Sequence, residues 1–321
     1  MRKSLNKSDL DFLFSIGIDE SEIDSQIEFI DSDKKEKTLI LSRPCLINDG
    51  ILSSDEINNM DPIHNMAMDT ISRFVPASGP STRMFDFNNL NNTFFEDIKL
   101  LPFFDLLFSY CNINHVDLNQ IINEKDLDKL KDILLSKKKM NLGNLPKAIL
   151  PFHFLKNIVV SPIEEIIFYS LDDIVNSSLF FTIQKTDEEV ILKTLKSSTL
   201  LKEINFEDFV KFSYQDSSTN SLCFDTNNDI VRYDNGKIYT HPSGHGALLS
   251  NLNEVESDYV FINNIDNISP KTRLLRYETS KILYSIAANT KKKFDMILKT
   301  FIERDYYLLL PSINSIVDLL P

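Results

Sequence analysis

The chain has few cysteines, little glycine and no tryptophan, and it has no long apolar run. These absences argue against a cysteine-ligated zinc site and a membrane-spanning protein. Seven glycines and three cysteines stand among its 321 residues. Cys45, Cys111 and Cys223 lie far apart, without the CxxC or Cys/His spacing of a zinc site, so we expect buried free thiols. No run approaches the roughly 20 apolar residues of a membrane span, and the first residues turn acidic before any signal-like apolar stretch. We therefore expect a cytoplasmic protein with no membrane partner.

Positive charge is also scarce. The 34 basic and 47 acidic residues give a formal net charge of -13, which argues against nucleic acid as a partner. Hydrophobic residues at 42% and charged residues at 25% are typical of a soluble globular protein. An anionic ligand must therefore be held by a few local groups.

The hydrophobic patterning divides the chain into three segments. Residues 1–65 show mainly helical spacing of apolar residues, as in "NKSDLDFLFSIG". Residues 66–270 alternate apolar strands with helices, which predicts an α/β domain with an open sheet, and the stretch near 92–140 reads as a helical insertion. Residues 271–321 are again mainly helical, and we expect them to pack on the same domain.

A hairpin is predicted within "IVRYDNGKIYTHP". Asn235 and Gly236 tolerate positive φ and separate two alternating strands, which is typical of a two-residue type I′ turn.

The stretch "ASGPSTRM" follows an apolar strand and opens a predicted helix near Thr82. Backbone amides of such a turn can converge on an anion, and Arg83 can add a two-pronged contact to phosphate oxygens. The Walker pattern GxxxxGK[ST] is absent. An ordinary strand-to-helix turn that needs a small residue at Gly79 explains the stretch equally well.

Two loops supply further candidates. Lys147 follows a proline in "LGNLPKAILPFH" and could contact a phosphate, although a solvated surface lysine has the same appearance. In "HPSGHG", Gly244 and Gly246 allow a backbone to approach a ligand closely, and His245 can donate a hydrogen bond. His153 reads as a half-buried histidine with a hydrogen-bonding partner.

A single carboxylate, Asp266, follows the apolar strand "YVFINNI". The carboxyl end of a sheet strand is where open α/β sheets bind ligands, and Mg²⁺ prefers hard oxygen ligands. The alternative is that Asp266 caps the next turn together with Asn267.

Five motifs together resemble a bacterial family known as domain of unknown function 4301. They are "RPCLINDGI", "FVPASGPSTRMF", "LPKAILPFH", "FSYQDSSTNSLCFD" and "HPSGHGALLSNLNEVESDYVFINNIDNISP". The motifs are in turn similar to those of sugar-phosphate nucleotidyltransferases of the UDP-sugar pyrophosphorylase type. That resemblance implies a Rossmann-like mixed open sheet of the nucleotide-diphospho-sugar transferase (GT-A-like) type, with helical additions at both termini.

The same resemblance implies a role for each motif. A turn that cradles the nucleotide phosphates corresponds to Ser78, Gly79, Ser81, Thr82 and Arg83, although Pro80 removes one amide donor from it.

Other motifs of that group correspond to later residues. Lys147 would contact phosphate, Gln215 would read the base, and Asp266 would be the Mg²⁺ ligand. The stretch that lies against the nucleotide corresponds to Gly244, His245 and Gly246.

Two functions follow as hypotheses. The first is a Mg²⁺-dependent nucleotidyltransferase that joins a nucleoside triphosphate, with UTP the first to test, to a sugar 1-phosphate and releases pyrophosphate. Arg83, Lys147 and Asp266 would be its catalytic residues. The second is a binding protein for a nucleotide or nucleotide sugar that has the same fold without the reaction. A glycosyltransferase of related fold, which would consume a nucleotide sugar, is a third hypothesis, and the oligomeric state stays open.

Overall fold

The computed structural model of the protein describes residues 5–31, 43–47, 50–58, 69–81, 84–85, 87, 90, 93–155, 157–172, 176–303 and 313. Two predicted site residues, Thr82 and Arg83, lie outside the described residues, as does most of the predicted helical segment after residue 303. For His245 the structure describes the backbone.

Strands of the described chain form one larger sheet and three two-stranded pairs. Their bounds are Leu46–Ile47 (β1), Gly50–Ile51 (β2), Ile71–Pro76 (β3), His153–Leu155 (β4), Ile158–Val160 (β5), Leu179–Ile183 (β6), Val210–Tyr214 (β7), Ser221–Leu222 (β8), Thr240–His241 (β9) and Tyr259–Ile262 (β10). The larger sheet has the order β10-β3-β6-β7.

All three pairings of this sheet are parallel. The predicted α/β class with an open sheet is therefore confirmed, whereas the resemblance implied a mixed sheet and the described sheet is parallel throughout. Every residue of β3 is buried, as expected for a central strand covered on both faces.

Helices cover the sheet and extend the chain at both ends. The α-helices are Lys7–Ser15 (α1), Glu20–Asp31 (α2), Ser54–Asn58 (α3), Phe94–Asp97 (α4), Phe104–Ile113 (α5), Leu118–Glu124 (α6), Leu127–Leu135 (α7), Pro162–Ser170 (α8), Glu188–Ser197 (α9), Leu249–Asn253 (α10) and Arg273–Ile302 (α11). Helices α4 to α7 lie between β3 and β6 in the chain and form an apolar core of their own.

The main core lies between the sheet and helices α8 and α9. Val75 of β3 and Phe181 of β6 pack with Ile163 and Ile167 of α8 and with Ile191 of α9. Helix α8 begins where the sequence supplies a proline at its first position and a reciprocal capping box between Ser161 and Glu164. This packing fixes the strand ends that carry the candidate site.

The predicted hairpin is present, but its turn differs from the prediction. Arg232 and Ile238 form an antiparallel bridge, and the Gly236 amide donates to the Tyr233 carbonyl oxygen at 2.8 Å. Gly236 has a φ of 80°, while Asn235 is not among the residues with positive φ. A type I′ turn requires two consecutive residues in the left-handed conformation, and here only Gly236 adopts it. The hairpin is therefore closed by a four-residue turn that ends at Gly236.

A partly buried ion pair joins helix α1 to this hairpin, with the side chain of Arg232 28% exposed. Both Nη atoms of Arg232 donate to the Asp9 carboxylate, at 2.9 and 2.7 Å. Asp9 is only 6% exposed, and it also caps α1 by accepting from the Asn6 amide. Hydrogen bonds from Arg232 hold the pKa of Asp9 below its ordinary value, against the opposing effect of burial, and the Asn6 amide adds to the lowering.

Acid should therefore weaken the fold through Asp9. A carboxyl whose pKa is lowered in the folded state contributes stability above its unfolded pKa of about 3.9, and loses it as the pH falls through the lower folded value. Urea unfolding at pH 6 and pH 3 is expected to show a smaller acid-induced loss in Asp9→Asn than in the unchanged protein. An equal loss in both proteins would contradict this role.

Two expectations drawn from the composition have clear outcomes in the described residues. All three cysteines are free; Cys111 is buried, Cys223 is half-buried, and Cys45 is exposed, so the expectation of burial is wrong for Cys45. Cys45 lies in the stretch 43–47, in which every residue is exposed. None of the described helices is both long enough and apolar enough to cross a membrane.

Candidate active-site cleft

The candidate site lies where the parallel strands end at their carboxyl edge. β3 is the first strand of the sheet in the chain, and its neighbours β6 and β10 lie on opposite sides of it. Such a reversal of strand order opens a crevice beyond the strand ends, which is where open α/β sheets bind ligands. A cleft of about 570 Å³ occupies this position.

Most of the site residues predicted from the sequence meet in this cleft. The residues that line it include Ser78, Gly79, Lys147, Gln215, Gly244 and Asp266. Ser81 and Gly246 are not among its lining residues. The strand-end positions account for three of these residues, because Ser78 follows β3, Gln215 follows β7, and Asp266 follows β10.

Lys147 and Asp266 form an ion pair in the cleft. The Nζ atom of Lys147 lies 2.6 Å from Oδ2 of Asp266, and the two side chains are 18% and 32% exposed. The Lys147 amide donates to the Gly79 carbonyl oxygen at 3.2 Å, which ties the lysine loop to the turn after β3. The lysine is therefore a fixed, half-buried cation, and the surface alternative does not describe it.

The turn after β3 is held by the loop that precedes Lys147. Pro80 and Pro146 form an antiparallel bridge. The hydroxyl of Ser81 is completely buried and lies within hydrogen-bonding distance of two carbonyl oxygens, those of Leu142 at 2.5 Å and Leu145 at 2.8 Å. Ser81 thus fixes the shape of the turn, and its side chain does not face the cleft.

Gln215 links three loops at the floor of the cleft. Its Oε1 accepts from the Ser78 hydroxyl at 2.7 Å and from Nε2 of Gln184 at 3.1 Å, while its own Nε2 donates to the Ser243 carbonyl oxygen at 3.1 Å. With Oε1 doubly occupied and only 8% of the residue exposed, the amide positions the loops. Sequence analysis missed Gln184 and Ser243, although Gln184 directly follows β6 as the other site residues follow their strands.

The glycines of the cleft are not demanded by the fold. A Cβ added to Gly79, Gly244 or Gly246 would meet no atom within 4 Å, and the φ of Gly244 is -68°, which any residue adopts. At Gly17, by contrast, φ is +89° and an added Cβ would lie 2.9 Å from the Ser218 Cβ. Because Gly79 and Gly244 have no side chains, they leave room in the cleft, and a phosphate group of a ligand could lie there.

This contrast gives a stability prediction. Gly17→Ala should lower the free energy of unfolding by about 1 to 2 kcal/mol or more, because the residue must stay left-handed. Gly244→Ala should change it by less than about 1 kcal/mol, since the added methyl meets open space and alanine loses less chain entropy on folding. Urea unfolding measures the free energy of unfolding of both variants. An equal decrease in both would show that the fold requires glycine at position 244 as well.

The stretch "HPSGHG" leads into a short helix, as the sequence indicates. A 3₁₀ turn runs from His245 to Leu248, and α10 follows directly. The Gly244 carbonyl oxygen accepts from the Ala247 amide at 3.0 Å and so begins the turn. Gly244, at the start of this turn, faces the cleft.

The cleft offers one carboxylate for a metal ion. Among the described residues, no group of three or more His, Cys, Asp or Glu side chains could hold a metal. Mg²⁺ commonly binds one or two carboxylates and takes its remaining ligands from water and substrate phosphates. Asp266 fits that pattern only when a phosphorylated ligand is present, and Lys147 must then share or yield its Oδ2 contact.

The four-stranded parallel sheet and the helices that pack on it define an α/β protein with a cleft at the carboxyl edge of its sheet. The family model described as "Domain of unknown function (DUF4301)" matches residues 6–309, so the chain belongs to this family. No curated protein and no solved structure matches the chain significantly.

Proposed function

We propose that the protein is a Mg²⁺-dependent nucleotidyltransferase that joins a nucleoside triphosphate to a sugar 1-phosphate and releases pyrophosphate. The observation that carries the proposal is the Lys147 and Asp266 pair, set in a cleft between two glycine-containing turns. At about 570 Å³ the cleft lies within the range of small-molecule sites, roughly 300 to 1,000 Å³.

The pair supplies the two charges that such a reaction uses. Nζ of Lys147 is a compact cation that can leave Asp266 for a phosphate oxygen. The carboxylate of Asp266 would then hold Mg²⁺ together with phosphate oxygens of the substrate. Mg²⁺, when bound, neutralises charge that develops on the transferring phosphoryl group.

The bond changes balance without a nucleophilic side chain. An oxygen of the sugar phosphate attacks the α-phosphorus of the triphosphate in line and forms a new P–O bond. The bond from the α-phosphorus to the bridging oxygen breaks, and pyrophosphate leaves with that electron pair. The protein orients the two phosphates and stabilises charge. The family resemblance implies that Arg83 contacts the phosphates of the nucleotide, and that role stays a prediction.

A second candidate is a binding protein for a nucleotide or nucleotide sugar without the reaction. A specific feature favours it: Asp266 is the one carboxylate among the described lining residues of the cleft, and it is paired with Lys147. Pro80 also removes an amide from the turn that would cradle phosphates. This candidate predicts nucleotide binding without turnover.

Pyrophosphate release distinguishes the two. The purified protein is incubated with Mg²⁺, one of the four ribonucleoside triphosphates and a pooled set of sugar 1-phosphates. Release that requires both substrates and one particular base supports the transferase. No pyrophosphate release in any mixture, together with a melting temperature raised by a nucleotide or nucleotide sugar, supports the binding protein. Silence with no change in melting counts against both.

A further inference from the structure

A second cationic hollow lies at the start of helix α11, outside the cleft. Its volume is about 270 Å³, and it is lined by Tyr169, Asp172, Arg273, Leu274, Arg276 and Tyr277. The guanidinium carbons of Arg273 and Arg276 lie 5.0 and 5.5 Å from the centre of the Tyr169 ring. Two like charges are thus held close to the ring of Tyr169, a residue that is only 6% exposed.

The charges of this hollow are only partly balanced by the protein. Arg273 pairs with Asp172, whose side chain is 61% exposed. Among the described residues, no carboxylate lies within ion-pairing distance of Arg276. Both arginines also stand in the first turn of a 30-residue helix, whose amino end already carries a partial positive charge. In a chain with net charge -13, this local excess of positive charge is suited to an anion.

The shape of the hollow narrows the chemistry of that anion. Arginine forks recognise phosphate oxygens in pairs, and a phosphomonoester carries about 1.5 to 2 negative charges at neutral pH. One such group could satisfy Arg276 and share Arg273 with the exposed Asp172. The ring of Tyr277 and the apolar Leu274 offer a surface for an uncharged, flat part of the same molecule.

The hollow is adjacent to the loop that carries Asp266. Tyr169 and Arg276 also line a small cavity with Arg73 and Asn264, and Asn264 lines the main cleft as well. Arg73 is 4% exposed and donates to Asn263 of this loop. The loop after β10 therefore has the cleft on one side and the arginines on the other.

We propose that this hollow is a separate binding site for a small phosphomonoester, with the phosphate between Arg273 and Arg276 and the flat part of the ligand against Tyr277 and Leu274. The site is distinct from the cleft of Lys147 and Asp266, and it does not depend on the proposed nucleotidyl transfer.

Calorimetric titration with phenyl phosphate tests the proposal. The unchanged protein should bind one equivalent, and Arg276→Gln should weaken binding about tenfold or more, the usual effect of losing a charge-assisted hydrogen bond. Arg276→Lys, which keeps the charge and loses the fork, should fall between the two. Lys299→Gln is the matched control, because it makes the same change of charge near the other end of α11 and should leave binding unchanged.

Several results would overturn the site. They are no binding of phenyl phosphate at millimolar concentration, equal binding by Arg276→Gln, and equal affinity for phenol, which would show that the acid group is not recognised. Lys147→Met separates this proposal from the proposed function: it should leave phenyl phosphate binding intact. A loss in Lys147→Met with none in Arg276→Gln would place the ligand in the main cleft and contradict the second site.

Discussion

Asp266→Asn is expected to lower the rate of pyrophosphate release by about 10²-fold or more, the usual cost of removing one electrostatic contact from a transition state. Asparagine has nearly the same shape and can still accept a hydrogen bond from Lys147, so the geometry of the cleft is retained. It lacks the negative charge that Mg²⁺ binding requires. Steady-state measurement of pyrophosphate release at saturating Mg²⁺ gives the ratio of rates.

Two controls make this result specific to the cleft. Asp258→Asn makes the same chemical change at the amino end of β10, where the carboxylate accepts from the Thr70 amide at 2.9 Å, and it should leave the rate within about twofold. Asp266→Asn itself should change the free energy of unfolding by less than about 1 kcal/mol, because its ion pair is partly exposed. Undiminished release by Asp266→Asn would remove Asp266 from the catalytic site.

Arg232→Met is expected to destabilise the fold by about 3 kcal/mol or more, because it leaves the Asp9 carboxylate buried without its cation. The Asp9 carboxylate would lose the hydrogen bonds from Arg232 and keep the one from the Asn6 backbone amide. Methionine keeps most of the length of the arginine stem, so the loss reports the charge and the hydrogen bonds more than packing. Urea unfolding at neutral pH measures the difference.

The double variant Asp9→Leu with Arg232→Met tests the cause. When both members of a buried pair become apolar, most of the lost stability should return, because no buried charge is left unpaired. Lys237→Met on the same hairpin is the surface control and should change the free energy of unfolding by less than about 0.5 kcal/mol, the usual range for surface substitutions. Full stability in Arg232→Met alone would show that the pair does not hold α1 to the hairpin.

Strand ends could be predicted well from the sequence, because an apolar strand followed by small or polar residues marks its own carboxyl end. Ser78 and Asp266 are predicted in this way, whereas Gln215 is implied only by the family resemblance. The structure brings all three to one edge of the sheet. The contact between Lys147 and Asp266 could not be predicted, since the two residues are 119 positions apart and strand order is not written in local patterns.

The inner hydrogen bonds of the site were also beyond sequence reasoning. A hydroxyl such as that of Ser81 can face a ligand or bond to its own loop, and only the fold decides between them. The same holds for Gln215, whose amide is occupied by Ser78, Gln184 and Ser243. The hairpin turn differed from prediction because "DNG" suits both a type I′ turn and a longer turn closed by glycine, and backbone twist selects one.

One of the two glycines around His245, Gly244, has a physical explanation in the cleft. Gly244 is in a conformation open to any residue, and its missing side chain faces the same space as Lys147 and Asp266. The space that the fold leaves there is the main reason to expect a ligand at this edge of the sheet.

Hydrogen exchange with mass spectrometry shows whether the cleft is a nucleotide site, because it reports both whether a nucleotide binds and where. The protein is exchanged with Mg²⁺ alone, with each ribonucleoside triphosphate, and with a UDP sugar. A nucleotide site in the cleft should slow exchange, with at least one of these ligands, in peptides that contain residues 77–81, 142–149, 241–248 and 263–267. Unchanged exchange with every ligand, or protection confined to other parts of the chain, would contradict it.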